Sequence, residues 1–142
     1  MRALLDVNVL VALLDAGHVH HGAAGAWLER NIEQGWASCP LTQNGCLRTL
    51  SADSYPRPQP VAAVAARLRE ATSTQFHEFW PDDFSVLDTT RLDHDWLLRS
   101  RQVNDGYLLA MAVRRDGVFV TLDRGMDLAL VRGATTRHLI VI

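Results

Sequence analysis

Three carboxylates in this sequence stand where their chemistry would be useful. Asp6 closes the short apolar run Ala3–Leu5 in MRALLDVNVLVALLD. Asp105 opens the apolar stretch of QVNDGYLLAMAVRR, and Asp123 closes the apolar run of GVFVTLDRGMD. At the two-residue period of a strand, Phe119, Thr121 and Asp123 share one face, so Thr121 and Asp123 point together at the strand's end. Gathered carboxylates repel one another unless a cation sits among them. Hard divalent cations prefer such oxygens, and Mg2+ or Mn2+ suit the set. A cluster of this kind can activate water and neutralise charge on a phosphodiester during an in-line displacement. The residue types thus point to phosphodiester hydrolysis. Plainer readings stand beside this one. Asn104 could be a helix N-cap with Asp105 complementing the helix dipole, and Asp123 a solvated turn residue. Asp127 reads as the start of the next helix.

The elements that must position these acids alternate in type. Residues 3–6 read as a buried strand and 8–14 as a helix ending at Asp15-Ala-Gly17. Residues 20–33 carry an amphipathic stripe of Ala24, Trp27, Leu28 and Ile32. A strand over 36–39 precedes Pro40, which suits the first turn of a helix with body 41–50. SADSYPRPQP, with Pro56, Pro58 and Pro60, reads as a loop. A helix over 60–71 follows, then a third strand over FSVLD (84–88), a short helix over 93–101, a helix over 104–115 and strands over 118–123 and 138–142. Such alternation predicts a parallel or mostly parallel sheet with helices on both faces. Ligands of such sheets bind outside the carboxyl ends of the strands, where Asp6 and Asp123 fall.

Composition narrows the function further. With 142 residues, 48% of them apolar, the chain is expected to form one domain over 1–142 and to bury roughly 70% of its unfolded surface. No apolar run reaches the ~20 residues of a membrane span. Asp6 interrupts the N-terminal apolar stretch, which argues against a signal peptide. Cys39 and Cys46 read as buried apolar residues of a cytoplasmic protein. Net charge is −2, and every basic residue is arginine. The absence of lysine excludes a P-loop and Schiff-base chemistry. Arginine still binds phosphate bidentately, so nucleic-acid binding survives that exclusion.

The ordered motifs resemble the PIN domain, and more narrowly the VapC-type toxins of bacterial toxin–antitoxin pairs. LLDVNVLVALLD is similar to the family's opening strand with its D-x-N, PLTQNGCLRTLS to its third-helix segment, QVNDGYLLAMAV to its T-D-A helix start with Asn104 in place of Thr, and VFVTLDRGM to its final acidic strand. The resemblance spans nearly the whole chain. It implies a three-layer α/β/α fold with a central, mostly parallel sheet of about five strands. It also implies Mg2+- or Mn2+-dependent endoribonuclease activity on RNA, homodimerisation and a cognate antitoxin. Carried over, Asp6, Asp105 and Asp123 are the catalytic and metal-binding acids. Asn8 orients Asp6 from behind, and Thr121 is a polar neighbour. The family's third-helix glutamate, three residues before an arginine, is missing: Arg48 is present, but Gly45 stands at the acidic position beside the uncharged Asn44. Gly45 is expected to leave room for water or substrate.

Other residues and functions compete. His18 and His21 are helix-spaced, but no convincing third ligand for zinc follows. They are expected to cap and pack the second helix, or one of His18, His20 and His21 to touch RNA phosphate. Trp27, Trp36, Trp80 and Trp96 read as core or dimer-interface residues. Arg48 could contact phosphate or hold a site carboxylate, and Arg99, Arg101, Arg114 and Arg115 could line an RNA groove. A degenerate, non-catalytic PIN-like module that binds RNA or protein is the alternative function. Aspartyl phosphotransfer at Asp6 is disfavoured by Asn8 and by the lack of lysine.

Overall fold

A computed structural model describes all of residues 1–142. Its elements run β1 (Ala3–Leu5), α1 (Val7–Leu14), α2 (His21–Asn31), β2 (Trp36–Ser38), α3 (Pro40–Ser51), α4 (Val61–Thr72), β3 (His77–Phe79), α5 (Gln102–Arg114), β4 (Val118–Thr121) and β5 (Leu139–Val141). The five strands are all parallel, in the order β3-β2-β1-β4-β5. The inner strands β1, β2 and β4 are buried throughout because both faces of the sheet are covered there. On one face Leu5 and Val120 pack with residues of α1, α2, α3 and α4, among them Leu10, Ala24, Leu50 and Leu68. On the other, Leu4 and Phe119 pack with α5 through Leu108, Leu109 and Met111, and with Trp80 and Leu92. The layers are therefore α/β/α, as the resemblance implies.

Chain order reverses between β1 and β4, which lie side by side in the middle of the sheet. A crevice opens at the carboxyl ends of the strands at such a reversal. Because α5 runs into β4 through the short turn at Arg115–Gly117, its N-terminus lies at the carboxyl end of β4. The topology alone thus brings the ends of β1 and β4 and the start of α5 together.

Several element boundaries differ from the sequence reading. The third strand is His77–Phe79, not 84–88. It is an edge strand with little apolar character, so periodicity does not mark it. Phe84 and Val86 are apolar because they pack against the α5 side of the core, and the Phe84 ring stacks on Tyr107 with centroids 4.4 Å apart. The helix expected over 93–101 is reduced to one 3-10 turn, His94–Trp96. The helix α5 starts at Gln102, two residues before Asn104, so Asn104 is not its N-cap. Cys39 and Cys46 are free and buried, and burial pushes the Cys46 thiol up to about 11.

Candidate active site

Asp6 is the junction between β1 and α1, and its carboxylate serves both. As the helix N-cap it accepts the Val7 N–H through Oδ1 at 2.7 Å. Through Oδ2 it accepts the Thr121 hydroxyl at 2.6 Å. Strand register explains the second contact: Leu5 pairs with Val120, so the next residue on each strand, Asp6 and Thr121, stand side by side. Both are buried. The same hydroxyl accepts from Asn8 Nδ2 at 3.2 Å and from the Asp123 N–H at 3.0 Å. Asn8 in turn accepts the Leu122 N–H at 3.1 Å. Asn8 therefore orients Asp6 through Thr121 rather than by touching it, and Thr121 uses its one donor and both acceptor sites. This relay ties the ends of the two central strands together and fixes the Asp6 rotamer.

Asp123 follows β4 in a turn, where Oδ1 accepts the Gly125 N–H at 2.8 Å. Asp105 lies in the first turn of α5. Asp6, Asp105 and Asp123 line one cavity of about 430 Å3, together with Asn8, Tyr55 and Arg101. A continuous cavity of about 420 Å3 shares Asp6, Asp105 and Arg101 and adds Asn44, Arg48 and Asn104. All of the sequence-selected side chains except the buried Thr121 thus border one crevice. Asp127 stays outside it and caps the following turn, accepting the Ala129 N–H at 2.9 Å.

The charges in this crevice are uncompensated. Burial, then the negative charges of Asp6 and Asp123, push the Asp105 carboxyl up to about 6, against a small opposing pull from Arg101. Burial also raises Asp6, reinforced by the Asp123 charge and opposed by its bonds to Thr121 and Val7. A crevice that raises two carboxylates has an excess of hard oxygen donors and a deficit of positive charge, which suits a divalent cation. No three His, Cys, Asp or Glu side chains converge tightly enough to enclose an ion by themselves. A cation here would rest on one or two of these carboxylates and complete its coordination with water, as Mg2+ does.

Gly45 borders the crevice, but the direction its side chain would take is filled. A Cβ there would lie 2.5 Å from Val7 Cγ2, so glycine is what allows α3 to pack against α1. An acidic side chain at 45 would meet the start of the helix that Asp6 caps. The histidines at 18–21 make contacts within the fold. His21 Nδ1 pairs with the Ala12 carbonyl at 2.8 Å, fastening α2 to α1. His18 Nδ1 accepts the His20 N–H at 3.0 Å, and His18 borders the cavity of the three acids. Trp36 and Trp80 are buried, Trp27 packs on the core and Trp96 is half exposed. Arg114 and Arg115 are engaged elsewhere, each 3.2 Å from Asp83. Seven arginines form ion pairs: Arg2, Arg57, Arg91, Arg114, Arg115, Arg132 and Arg137. Arg48 and Arg101 form none and border the acidic crevice.

Sequence reasoning missed Tyr55, which borders the crevice from the proline-rich loop. Its hydroxyl donates to the buried Asp15, which also takes Arg57 Nη2 at 2.7 Å, Arg57 Nε at 3.2 Å and the Gly17 N–H at 3.0 Å. The guanidinium holds the Asp15 carboxyl well below the usual carboxylate range, with help from Tyr55. The pairing is invisible in the sequence because 40 residues separate Asp15 from Tyr55.

Known proteins share this sequence pattern and fold. Residues 3–129 match the PIN domain. Ribonuclease VapC44 of Mycobacterium tuberculosis is 52% identical over 139 residues, covering 98% of each chain. Ribonuclease VapC39 of the same organism is 41% identical over 127 residues, covering 89% of this chain and 91% of that one. Among solved structures, M. tuberculosis VapC20, described as a toxin that cleaves the sarcin–ricin loop, superposes with a TM-score of 0.59 at 13% identity, covering 81% of this chain and 84% of that chain. VapBC2 of Rickettsia felis, solved with a DNA fragment of its promoter, gives 0.56 at 14% identity, covering 87% and 89%. The last two bear on the fold alone; the sequence relatives and the domain match carry the assignment, and the chain belongs to the PIN-domain family as a VapC-type member.

Proposed function

We propose that this chain is a Mg2+- or Mn2+-dependent endoribonuclease and the toxin of a toxin–antitoxin pair. One observation carries the reading: three carboxylates, two of them raised by burial and mutual repulsion, share a crevice with two arginines free of ion pairs. Asp6, Asp105 and Asp123 would hold the cation. When bound, such an ion neutralises charge on the phosphodiester and makes water more acidic. Thr121 and Asn8 hold Asp6 in one rotamer, so no reorganisation is needed when substrate arrives. Arg48 and Arg101 draw RNA phosphate towards the acids and offset the repulsion that three carboxylates exert on a polyanion. Without a fourth acid at position 45, we infer one strongly held ion.

The partners follow from the same reading. VapBC2 of R. felis was solved as a complex with a fragment of its promoter DNA, and we infer for this chain a cognate antitoxin that covers this crevice with an arginine paired to Asp6 or Asp123. A homodimer in the cytoplasm completes the proposal, and no helix is long and apolar enough to cross a membrane. The test is incubation of purified protein with total RNA in Mg2+ or Mn2+, with and without EDTA. Cleavage that chelator abolishes, and that Asp6→Asn and Asp105→Asn lose while remaining folded, supports the proposal. RNA binding without cleavage in either metal transfers it to the non-catalytic alternative.

A further inference from the structure

A second cavity, of about 630 Å3, adjoins the acidic crevice between the C-terminal half of α3 and the proline-rich loop. It shares Thr49 and Tyr55 with one part of the crevice and Gly45 and Arg48 with the other. We propose that this cavity is a subsite for a nucleotide flanking the phosphodiester that is cut, with Tyr55 as the platform for its base and Arg48 as the contact for its phosphate. The inference rests on the ribonuclease reading and extends it to a binding site away from the acids.

Four observations support it. The volume lies within the ~300–1,000 Å3 of small-molecule sites. Its lining contains no acid, one arginine free of ion pairs, and the hydroxyls of Thr49, Ser51 and Ser54, which suits an anionic ligand with polar edges. By contrast, the cavity lined by Arg2, Arg114 and Arg115 also holds Glu78 and Asp83, with which all three guanidiniums are already paired. Lastly, Tyr55 is fixed in advance. Asp15 receives its hydroxyl, Arg57 clamps Asp15 from the same loop, and Gly17 admits the guanidinium, since a Cβ there would lie 2.7 Å from Arg57 Nε. The Tyr55 N–H also bonds the Ala52 carbonyl, and the Gln59 N–H the Leu50 carbonyl. An aromatic ring held rigidly beside a cleft gives stacking without an ordering cost, and it tolerates any base because every base has a π-face.

The test is anisotropy of a fluorescein-labelled, mixed-sequence 12-nucleotide RNA in EDTA, alongside cleavage of the same RNA in Mn2+. Tyr55→Ala should raise the Kd about tenfold, the size expected for one lost stacked base. Tyr55→Phe keeps the ring and should stay within about threefold of wild type. Arg48→Ala should weaken binding and lower the salt slope by about one. Ser54→Glu, at an exposed loop position, places a negative charge in the cavity and should weaken binding without unfolding the chain, which settles the matter if Tyr55→Ala does not fold. Wild-type affinity in Arg48→Ala and Ser54→Glu overturns the subsite while leaving the ribonuclease reading intact. So does a Tyr55→Phe defect as large as that of Tyr55→Ala, because the hydroxyl clamp would then be responsible. A Tyr55→Ala protein that binds RNA normally but loses a co-expressed antitoxin also overturns it, assigning the cavity to a protein. A wild type that neither binds nor cuts RNA removes both readings.

Discussion

Replacing Asp105 with asparagine should stabilise the metal-free protein, and the structure sets both size and pH range. The carboxyl is raised from its ordinary 3.8 to about 6, and each pH unit is worth about 1.4 kcal/mol. The full difference, about 3 kcal/mol, applies to a group shielded from water, and Asp105 is only half-buried. Solvent screening reduces it to about 1–1.5 kcal/mol. Asp105 also sits in the first turn of α5, where its charge gains about 0.3–1 kcal/mol from the helix dipole, and asparagine forfeits that. Repulsion wins by a modest margin, so Asp105→Asn should melt about 2–3 °C higher at pH 7.5 in EDTA. The sign with pH follows from linkage. The folded chain binds this proton more tightly than the unfolded chain, so wild-type stability falls as pH rises from about 4 to about 6. The mutant's advantage is therefore complete above about pH 7, shrinks as pH falls through about 6 and is gone only below about pH 3, where both states are protonated. Mn2+ should reverse the order at pH 7.5 by stabilising wild type more than the mutant. Differential scanning fluorimetry across this range measures all three effects. An unchanged or lower melting temperature at pH 7.5, or a gain equally large at pH 4, would show that Asp105 does not face its neighbours' charge.

Asp15 should behave in the opposite way. Its carboxyl is held low by Arg57 and Tyr55, so its contribution is present above pH ~4 and is lost as pH falls further. Asp15→Asn should cost about 1.5–3 kcal/mol at pH 7 by urea unfolding, and a neutral result would mean that the loop is held by something else. Thr121→Val removes the hydroxyl that links Asp6, Asn8 and the Asp123 N–H. It should cost about 1–3 kcal/mol and weaken Mn2+ binding in calorimetric titration, whereas a loss of stability alone would deny Thr121 any role in orienting Asp6. Gly45→Ala gains up to ~1 kcal/mol of helix propensity but drives a methyl into Val7. We expect a net loss of about 1–2 kcal/mol, largely recovered in Gly45→Ala/Val7→Ala. Equal losses in the single and double mutants would show that Val7 is not the obstacle.

The sequence made the central strands, α3, α4 and the three acids legible because each rests on a local pattern. Apolar runs of strand length end at Asp6 and near Asp123, and an all-round apolar helix begins near Asp105. Elements that follow no such pattern were missed. The strand His77–Phe79 is recognised by its pairing with Trp36–Ser38 rather than by its own residues. Phe84 and Val86 mimic a strand because apolar residues packing under a loop carry the same signature as those packing in a sheet. Reading Asn104 as a cap failed for a related reason: α5 begins at Gln102, whose side-chain Oε1 takes the Leu98 and Arg99 N–H groups just ahead of the helix.

Gly45 shows most clearly what pattern alone cannot supply. In sequence it marks an absent acid, and its missing side chain suggests room for water or substrate. In three dimensions the position a Cβ would take is filled by Val7, whose backbone N–H donates to Asp6. The same close contact of α3 and α1 sets Asn44 and Arg48 on the wall of the crevice. A glutamate introduced at 45 would therefore not simply restore a ligand. It would push α3 away from α1, and Asn44 and Arg48 would move with it. If Gly45→Glu alone fails to tighten Mn2+ binding but Gly45→Glu/Val7→Ala succeeds, the missing acid is a consequence of helix packing. If neither binds Mn2+ more tightly, the crevice is closed to a fourth carboxylate at this position.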